Sequence, residues 1–317
     1  MKPIIQTKGL YKTYKGRVEA LKNLDMVVNK GDSLGLLGPN GAGKTTTIQI
    51  ILNLINQSKG EVELFGENIK GQENRLLQKV GALVGTPGYY DKLTPNDFLM
   101  YVCKTHLMNK AESQIRIKEV LNDIGLSEVG TKKVGTFSTG MKRRLGLAQI
   151  LVHDPELIIL DEPTNGLDPK GVREVRDLIK NINKMGKTIF MTSHNLTEVD
   201  EISSRVIFLN HGEKVGDEKI SDLRKELGFK KIQVKFLRDL NSGEKEIIQS
   251  IDKVKGYFEV DNPYIEYDGD ISATHDILKE IMKEKLPIFS YNPQTLTLED
   301  IYFKIFGNPS DKKELIL

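Results

Sequence analysis

The stretch Asp32–Ile55, DSLGLLGPNGAGKTTTIQIILNLI, decides the fold. A short apolar run meets a glycine-rich turn and then a long apolar segment, the pattern of a strand that turns into a helix. At its centre, GPNGAGKT (Gly38–Thr45) matches Gly-x-x-x-x-Gly-Lys-Ser/Thr. Glycines at this spacing let backbone N–H groups turn inward around phosphate oxygens. Lys44 can then reach the β- and γ-phosphates, and the Thr45 hydroxyl can ligate Mg2+. Average composition yields the pattern by chance in on the order of 1% of chains this long. The strand-turn-helix setting is the context the chemistry needs.

A second segment, LIILDEP (157–163), is apolar until it delivers Asp161 and Glu162. Open α/β sheets bind ligands at the carboxyl ends of their strands. There Asp161 can hold the Mg2+ shell, and Glu162, one residue on, can polarise a water toward the γ-phosphate. An acidic pair after an apolar run is a weak signal alone and a strong one beside a phosphate loop. KTIFMTSH (187–194) and SRVIFLNHGE (204–213) read as two more apolar strands, with a helix over 169–185 before the first of them. Strands apolar on both faces belong to a parallel sheet covered by helices, and the alternation predicts an α/β fold. Upstream, residues 4–10 and 17–28 read as strands and GEVELFGENI as a hairpin turning at Gly66. Residues 94–125 read as helical, with Ile115, Val120, Leu121 and Ile124 on one side.

With both halves of the phosphate site in place, residues 1–216 resemble the nucleotide-binding subunit of ATP-binding cassette (ABC) transporters nearly end to end. The family's Leu-Ser-Gly-Gly-Gln signature appears as FSTGM (Phe137–Met141), its D-loop as NGLDP (165–169), and its switch histidine as His194 in TSH. The resemblance implies a P-loop NTPase domain with a parallel-sheet core, an antiparallel β subdomain and a helical subdomain over about 86–155. It implies ATP and Mg2+ as cofactors. ATP would be held by Gly38, Pro39, Asn40, Gly41, Ala42, Gly43, Lys44, Thr45 and Thr46, and its adenine would stack on Tyr14 in YKTYKG, with Tyr11 a nearby competitor. Metal contacts fall to Thr45 and Asp161, catalysis to Glu162 and His194. Ser138, Thr139, Gly140 and Asp168 would meet a second cassette in a homodimer or heterodimer. Such a subunit is an ATPase that powers an exporter through separate permease chains. It sits in the cytoplasm, peripheral on the membrane's cytoplasmic face, with no nucleic-acid partner.

The sequence departs from the family in places. In VGALVGTPGYYDKLT (80–94) the position of the family's Mg2+-touching glutamine holds Gly85, which has no side chain to ligate metal. The signature has Thr139 for a glycine and Met141 for glutamine. The 80–94 stretch otherwise resembles the subgroup of drug, bacteriocin and lantibiotic exporters. In FSTGMKRRLGLA (137–148), Ser138 reads as a helix N-cap followed by Lys142, Arg143 and Arg144. Cations there oppose the helix dipole by roughly 0.3–1 kcal/mol each. The expectation is an arriving anion, the γ-phosphate of the other subunit's ATP, with at least part of the basic cluster a solvated face.

Totals bound the rest. Residues 217–317 hold 16 basic and 20 acidic side chains and the first 216 hold 30 and 24, a compositional seam near 216. Neither balance reaches the basic footprint of a duplex-binding domain. The single cysteine, Cys103, excludes an intrachain disulfide framework and fits a reducing compartment. No signal-peptide core and no run of ~18–20 apolar residues is present. After a linker helix over 217–228, residues 229–317 read as a small α+β accessory domain with the β-α-β-β-α-β order of a ferredoxin-like fold, closed by a helix at 297–306. The alternative function, a soluble ABC ATPase acting on ribosome or DNA, usually carries two cassettes or a long coiled coil. Here there is one P-loop, and Lys44 and Ser138 lie only 94 positions apart with no heptad run.

Overall fold

A computed structural model describes residues 3–16, 18–85, 88–226, 230–259, 263–269, 271–294, 298–299 and 302. Its described chain forms two compact units, one through Lys219 and one from Ile220. The first begins with β1 (Pro3–Tyr14), β2 (Val18–Asn29), β3 (Ser33–Leu37) and α1 (Lys44–Ile51). There follow β4 (Lys59–Leu64), β5 (Glu67–Asn68), α2 (Glu73–Leu77), β6 (Val80–Leu83), α3 (Pro95–Thr105), α4 (Lys110–Asp123) and α5 (Thr139–Leu151). It ends with β7 (Leu157–Asp161), α6 (Pro169–Lys184), β8 (Thr188–Ser193), α7 (Leu196–Ile202), β9 (Arg205–Asn210) and β10 (Glu213–Lys219).

Six strands make the central sheet in the order β10-β9-β3-β8-β7-β6, parallel except for β10. The unbroken apolar run of β7 has a direct cause. Leu157 and Ile159 join one core, shared with the four-stranded antiparallel sheet β2-β1-β4-β5 and α1, while Ile158 and Leu160 join a second core under α3–α6. In β8, Phe190 belongs to the first core and Ile189 and Met191 to the second. A strand between two cores has no polar face to offer.

Two details of the helical region differ from the expectation. Residues 94–125 form two helices. Leu107 takes φ 58, and Asn109 restarts the chain as the N-cap of α4, accepting from Glu112 N. Ile115 is 63% exposed, and the buried stripe of α4 runs through Ile117, Val120, Leu121 and Ile124 instead. That spacing of three, four and seven is the true helical face.

The second unit comprises α8 (Ile220–Glu226), β11 (Lys230–Phe236), α9 (Ser242–Ser250), β12 (Val254–Phe258), β13 (Tyr264–Tyr267), α10 (Ile271–Lys283) and β14 (Ile288–Gln294). Its antiparallel sheet runs β12-β13-β11-β14. Ile232, Val234, Ile265 and Tyr267 form its core with Ile248, Ile277 and Ile281 from the two longer helices. Strand β10 pairs with β9 as far as Lys219, three residues past the compositional seam. The closing helix expected at 297–306 lies mostly outside the described residues.

His106, at the end of α3, stacks on His153, just past α5, with ring centroids 3.8 Å apart and planes 7° apart. Burial first and His106 second push the His153 pKa down to about 4. The unfolded chain therefore binds this proton more readily than the folded one. The stabilisation is complete above the ordinary histidine value of 6.5 and is lost as pH falls toward about 4. Denaturant unfolding from pH 7.5 to 4.5 is expected to show this loss, and His153→Phe should flatten it.

Candidate functional site

The phosphate loop leaves β3 at the centre of the sheet and enters α1 without a side-chain cap or an acidic residue in the first turn. Gly43 supplies the N-cap with φ 107, and a Cβ there would lie 2.4 Å from Ala20 O, so only glycine fits. The free N–H groups of that turn and the positive end of the helix face whatever enters the loop.

Lys44 is 6% exposed. Its Nζ donates to Gly38 O at 2.7 Å and Pro39 O at 3.1 Å, and lies 3.9 Å from Glu162 Oε1. Burial lowers its pKa, opposed by the carboxylates of Glu162 and Asp161. Thr45 Oγ1 donates to Asp161 Oδ2 at 3.1 Å. Asp161, buried at the end of β7, also accepts from Thr192 Oγ1 at 2.5 Å. The next residue departs sharply: Glu162 has φ 49, which turns its side chain away from that of Asp161. Its N–H donates to Thr192 O at 3.1 Å, and its Oε2 accepts from His194 Nδ1 at 2.7 Å. Lys44, Thr45, Asp161, Glu162 and His194 thus converge at one edge of the sheet.

Tyr14, 39% exposed, points its hydroxyl at Thr46 Oγ1, 3.4 Å away, with Lys12 Nζ 5.0 Å from its ring centroid. Tyr11 instead lies over the β1–β4 pairing, under the Lys59 ammonium. Ser138 caps α5, accepting from Met141 N at 3.3 Å, and Asp168 caps α6, accepting from Gly171 N at 3.0 Å. Among the described residues no hydrogen bond or ion pair joins Ser138, Thr139, Gly140 or Asp168 to the phosphate loop.

The basic cluster after Ser138 is half-buried and divided: Lys142 pairs with an exposed carboxylate, while Arg143 and Arg144 reach backbone carbonyls. Lys142 Nζ lies 3.4 Å from Asp91 Oδ1, and the Lys142 carbonyl accepts from Tyr89 Oη at 2.5 Å. Arg144 donates to the carbonyls of Ile124 and Gly125 and faces Glu174. Arg143 donates to three carbonyls, those of Glu162, Pro163 and, at 3.3 Å, Gly85. Three further residues escaped the sequence reading. Thr192 reads as an ordinary β-branched strand residue, Arg143 is one of three adjacent cations, and Glu198 sits on a helix that looks polar. Glu198 is buried and accepts from Ser193 Oγ at 2.5 Å, bracing the turn that carries His194, and burial raises its pKa.

Together these features define a nucleotide hydrolase built on a phosphate loop and a parallel sheet. The ABC transporter family matches residues 21–165. The bacitracin transport ATP-binding protein BcrA of Bacillus licheniformis is 35% identical over 97% of this chain and 98% of its own length. The linearmycin resistance ATP-binding protein LnrL of Bacillus subtilis (strain 168) is 32% identical over 96% of this chain and 98% of its own. A dimeric post-hydrolysis structure of the ATP-binding cassette MJ0796, bound to ADP and Pi, superposes with a TM-score of 0.61 at 26% identity, covering 68% of this chain and 98% of that one. The chain belongs to the ATP-binding proteins of the ABC transporter family. It is an ATP-binding ATPase subunit.

Gly85, where the family's glutamine would stand, has φ +67, and a Cβ there would meet nothing within 4 Å. Room is available but the backbone favours glycine, so this is more than a lost side chain. Gly85→Gln is expected to cost about 1–2 kcal/mol in denaturant unfolding, since L-residues pay roughly that in the left-handed region. Gly85→Ala should cost nearly as much if the backbone is the cause.

Proposed function

We propose that the chain is the ATP-driven motor of an exporter whose membrane-spanning subunits are separate chains. The observation that carries the reading is the convergence of Lys44, Thr45, Asp161, Glu162 and His194 at the carboxyl edge of the sheet. Full-length likeness to a bacitracin transport protein and a linearmycin resistance protein supports an antibiotic-type cargo, which the permease would recognise. Among the described residues no helix is long and apolar enough to cross a membrane. The place of action is the cytoplasmic face.

Lys44 Nζ donates to carbonyls of its own loop, contacts that a bound phosphate would compete for. Phosphate oxygens replace them, a stronger charge-assisted contact. Thr45 and Asp161 offer a hydroxyl and a carboxylate, the hard oxygen donors Mg2+ accepts beside phosphates. When bound, the ion would neutralise charge on the β- and γ-phosphate oxygens. Glu162 is held between His194 and the Lys44 ammonium. As those two turn to the γ-phosphate, its carboxylate becomes free to take a proton from the attacking water. Tyr14 would stack on adenine and Thr46 would line the same pocket. Ser138, Thr139 and Gly140, at the uncompensated start of α5, would meet the γ-phosphate held by a second cassette, with Asp168 at the dimer face; that partner is a copy or a homologue. The dimeric cassette MJ0796 supports this assembly. Residues 229–317 are read as a ferredoxin-like accessory domain that aids dimer contact or regulation.

Glu162→Gln in the full chain is expected to retain ATP binding and trap a dimer while hydrolysis falls by ~10²–10⁴. An unchanged rate would remove Glu162 from the base role. Thr192→Val removes the hydroxyl donor to Asp161, and such outer partners are worth about 10- to 100-fold in metal affinity. The Mg2+ concentration for half-maximal activity should rise accordingly, with little change in ATP binding measured without metal.

A further inference from the structure

We propose that Arg143 is the positioning residue that locks the backbone of Glu162 to helix α5, so that the signature turn and the catalytic carboxylate move as one body. The inference rests on the roles proposed above for Glu162 and Ser138.

The geometry is specific. Glu162 stands at φ 49, a conformation that a non-glycine residue holds only where its surroundings enforce it. Its N–H is fixed by the Thr192 carbonyl on β8. Its own carbonyl accepts from Asn165 N–H at 3.2 Å within the local turn and from the Arg143 guanidinium, the contact that reaches it from α5 and that also takes the carbonyl of Pro163. Both peptide groups flanking the Glu162 Cα are therefore held, from opposite sides, and the direction of its side chain follows from them. The third carbonyl taken by Arg143 belongs to Gly85, at the end of the segment that leaves β6. Where the family's loop carries a glutamine, this loop offers only its backbone, and the tie comes from the helix instead.

Only arginine suits the task. A planar guanidinium presents five N–H donors in a fixed fork, enough for three carbonyls in different directions. A lysine ammonium is a single point and cannot span them. The guanidinium is half-buried, with Tyr89, Glu198 and Asp161 nearby, and burial lowers its pKa against the pull of those groups. Its position five residues after Ser138 places it on the same rigid helix as the signature turn. A phosphate held by the partner against that turn would thus set the aim of this chain's own Glu162, linking the two nucleotide sites of a dimer.

The test uses full-length Arg143→Lys and Arg143→Ala, with steady-state ATPase rates read against ATP concentration and ATP binding measured separately. The expected result is a fall in kcat of about 10- to 100-fold, the scale of a misplaced catalytic group. ATP affinity should stay within about twofold, and the Hill coefficient for ATP should fall toward one. If Arg143→Ala does not fold, the lysine variant, which keeps the charge, decides alone. A lysine variant with the parent's kcat and Hill coefficient overturns the proposal. So does a loss of ATP binding that matches the loss of rate, since that marks a purely structural residue. An unmodified chain without ATPase activity, or an unchanged rate in Lys44→Ala, would instead defeat the phosphate-loop reading, and an unchanged rate in Glu162→Gln only the base assignment.

Discussion

The register of three parallel strands is the constraint on which the site depends. Leu37, the last residue of β3, pairs with Ser193 of β8, and Asp161, the last of β7, pairs with Thr192. The three strands therefore end at one level, and the phosphate loop, the acidic pair and the histidine turn leave the sheet together. Side chains alternate between faces with a period of two, so a slip of one residue would send Asp161 to the opposite face. The slip is blocked because β7 and β8 feed two different cores with alternate residues. Moving Ile158 and Leu160 into the places of Leu157 and Ile159 would disrupt both cores at once. Apolar packing far from the chemistry thus fixes the distance between Thr45 and Asp161.

That division also explains what could be read from the sequence. The phosphate loop is a local signal, with glycines, lysine and threonine in one short window and an apolar strand and helix on either side. Strands apolar on both faces are equally local, and β7, β8 and β9 lie where their sequences put them. What escaped was long-range. Thr192 matters because it lies opposite Asp161, which no property of FMTS announces. Ile115 was placed on the buried face because it is apolar, yet the true stripe starts two residues later at Ile117. The break between α3 and α4 is written in Asn109, a good cap followed three residues later by Glu112, and periodicity alone ran over it. Gly85 was visible as a missing side chain, but its left-handed backbone was not.

The cations after Ser138 show how sequence and structure answer different questions. By charge alone, three basic residues in the first turns of a helix oppose its dipole by roughly 0.3–1 kcal/mol each. Each has found acceptors elsewhere: Lys142 a carboxylate, Arg144 two carbonyls and Glu174, Arg143 three carbonyls. Arg143 and Arg144 turn their charge sideways into the protein, while Lys142 meets an exposed carboxylate. The first turn itself carries neither an acid nor a side chain that returns to the cap, so its N–H groups, apart from the Met141 N–H that Ser138 accepts, stay open to an anion.

The same arrangement bears on how an ATPase of this kind can be switched. Glu162 accepts from His194 and faces the Lys44 ammonium, the two groups that on the proposed reading meet the γ-phosphate. With Glu162 as the proposed base, hydrolysis would require two events, arrival of a phosphate to draw Lys44 and His194 away, and correct aim of the carboxylate thus released. The first is local to one chain. The second depends on the peptide groups on either side of Glu162, held by β8 and by α5. A rigid central sheet supplies one of those holds permanently. The other belongs to the helical region, the part of the fold whose signature turn faces a second cassette on the proposed reading, so that reading would make the element that senses the partner the gate of the reaction.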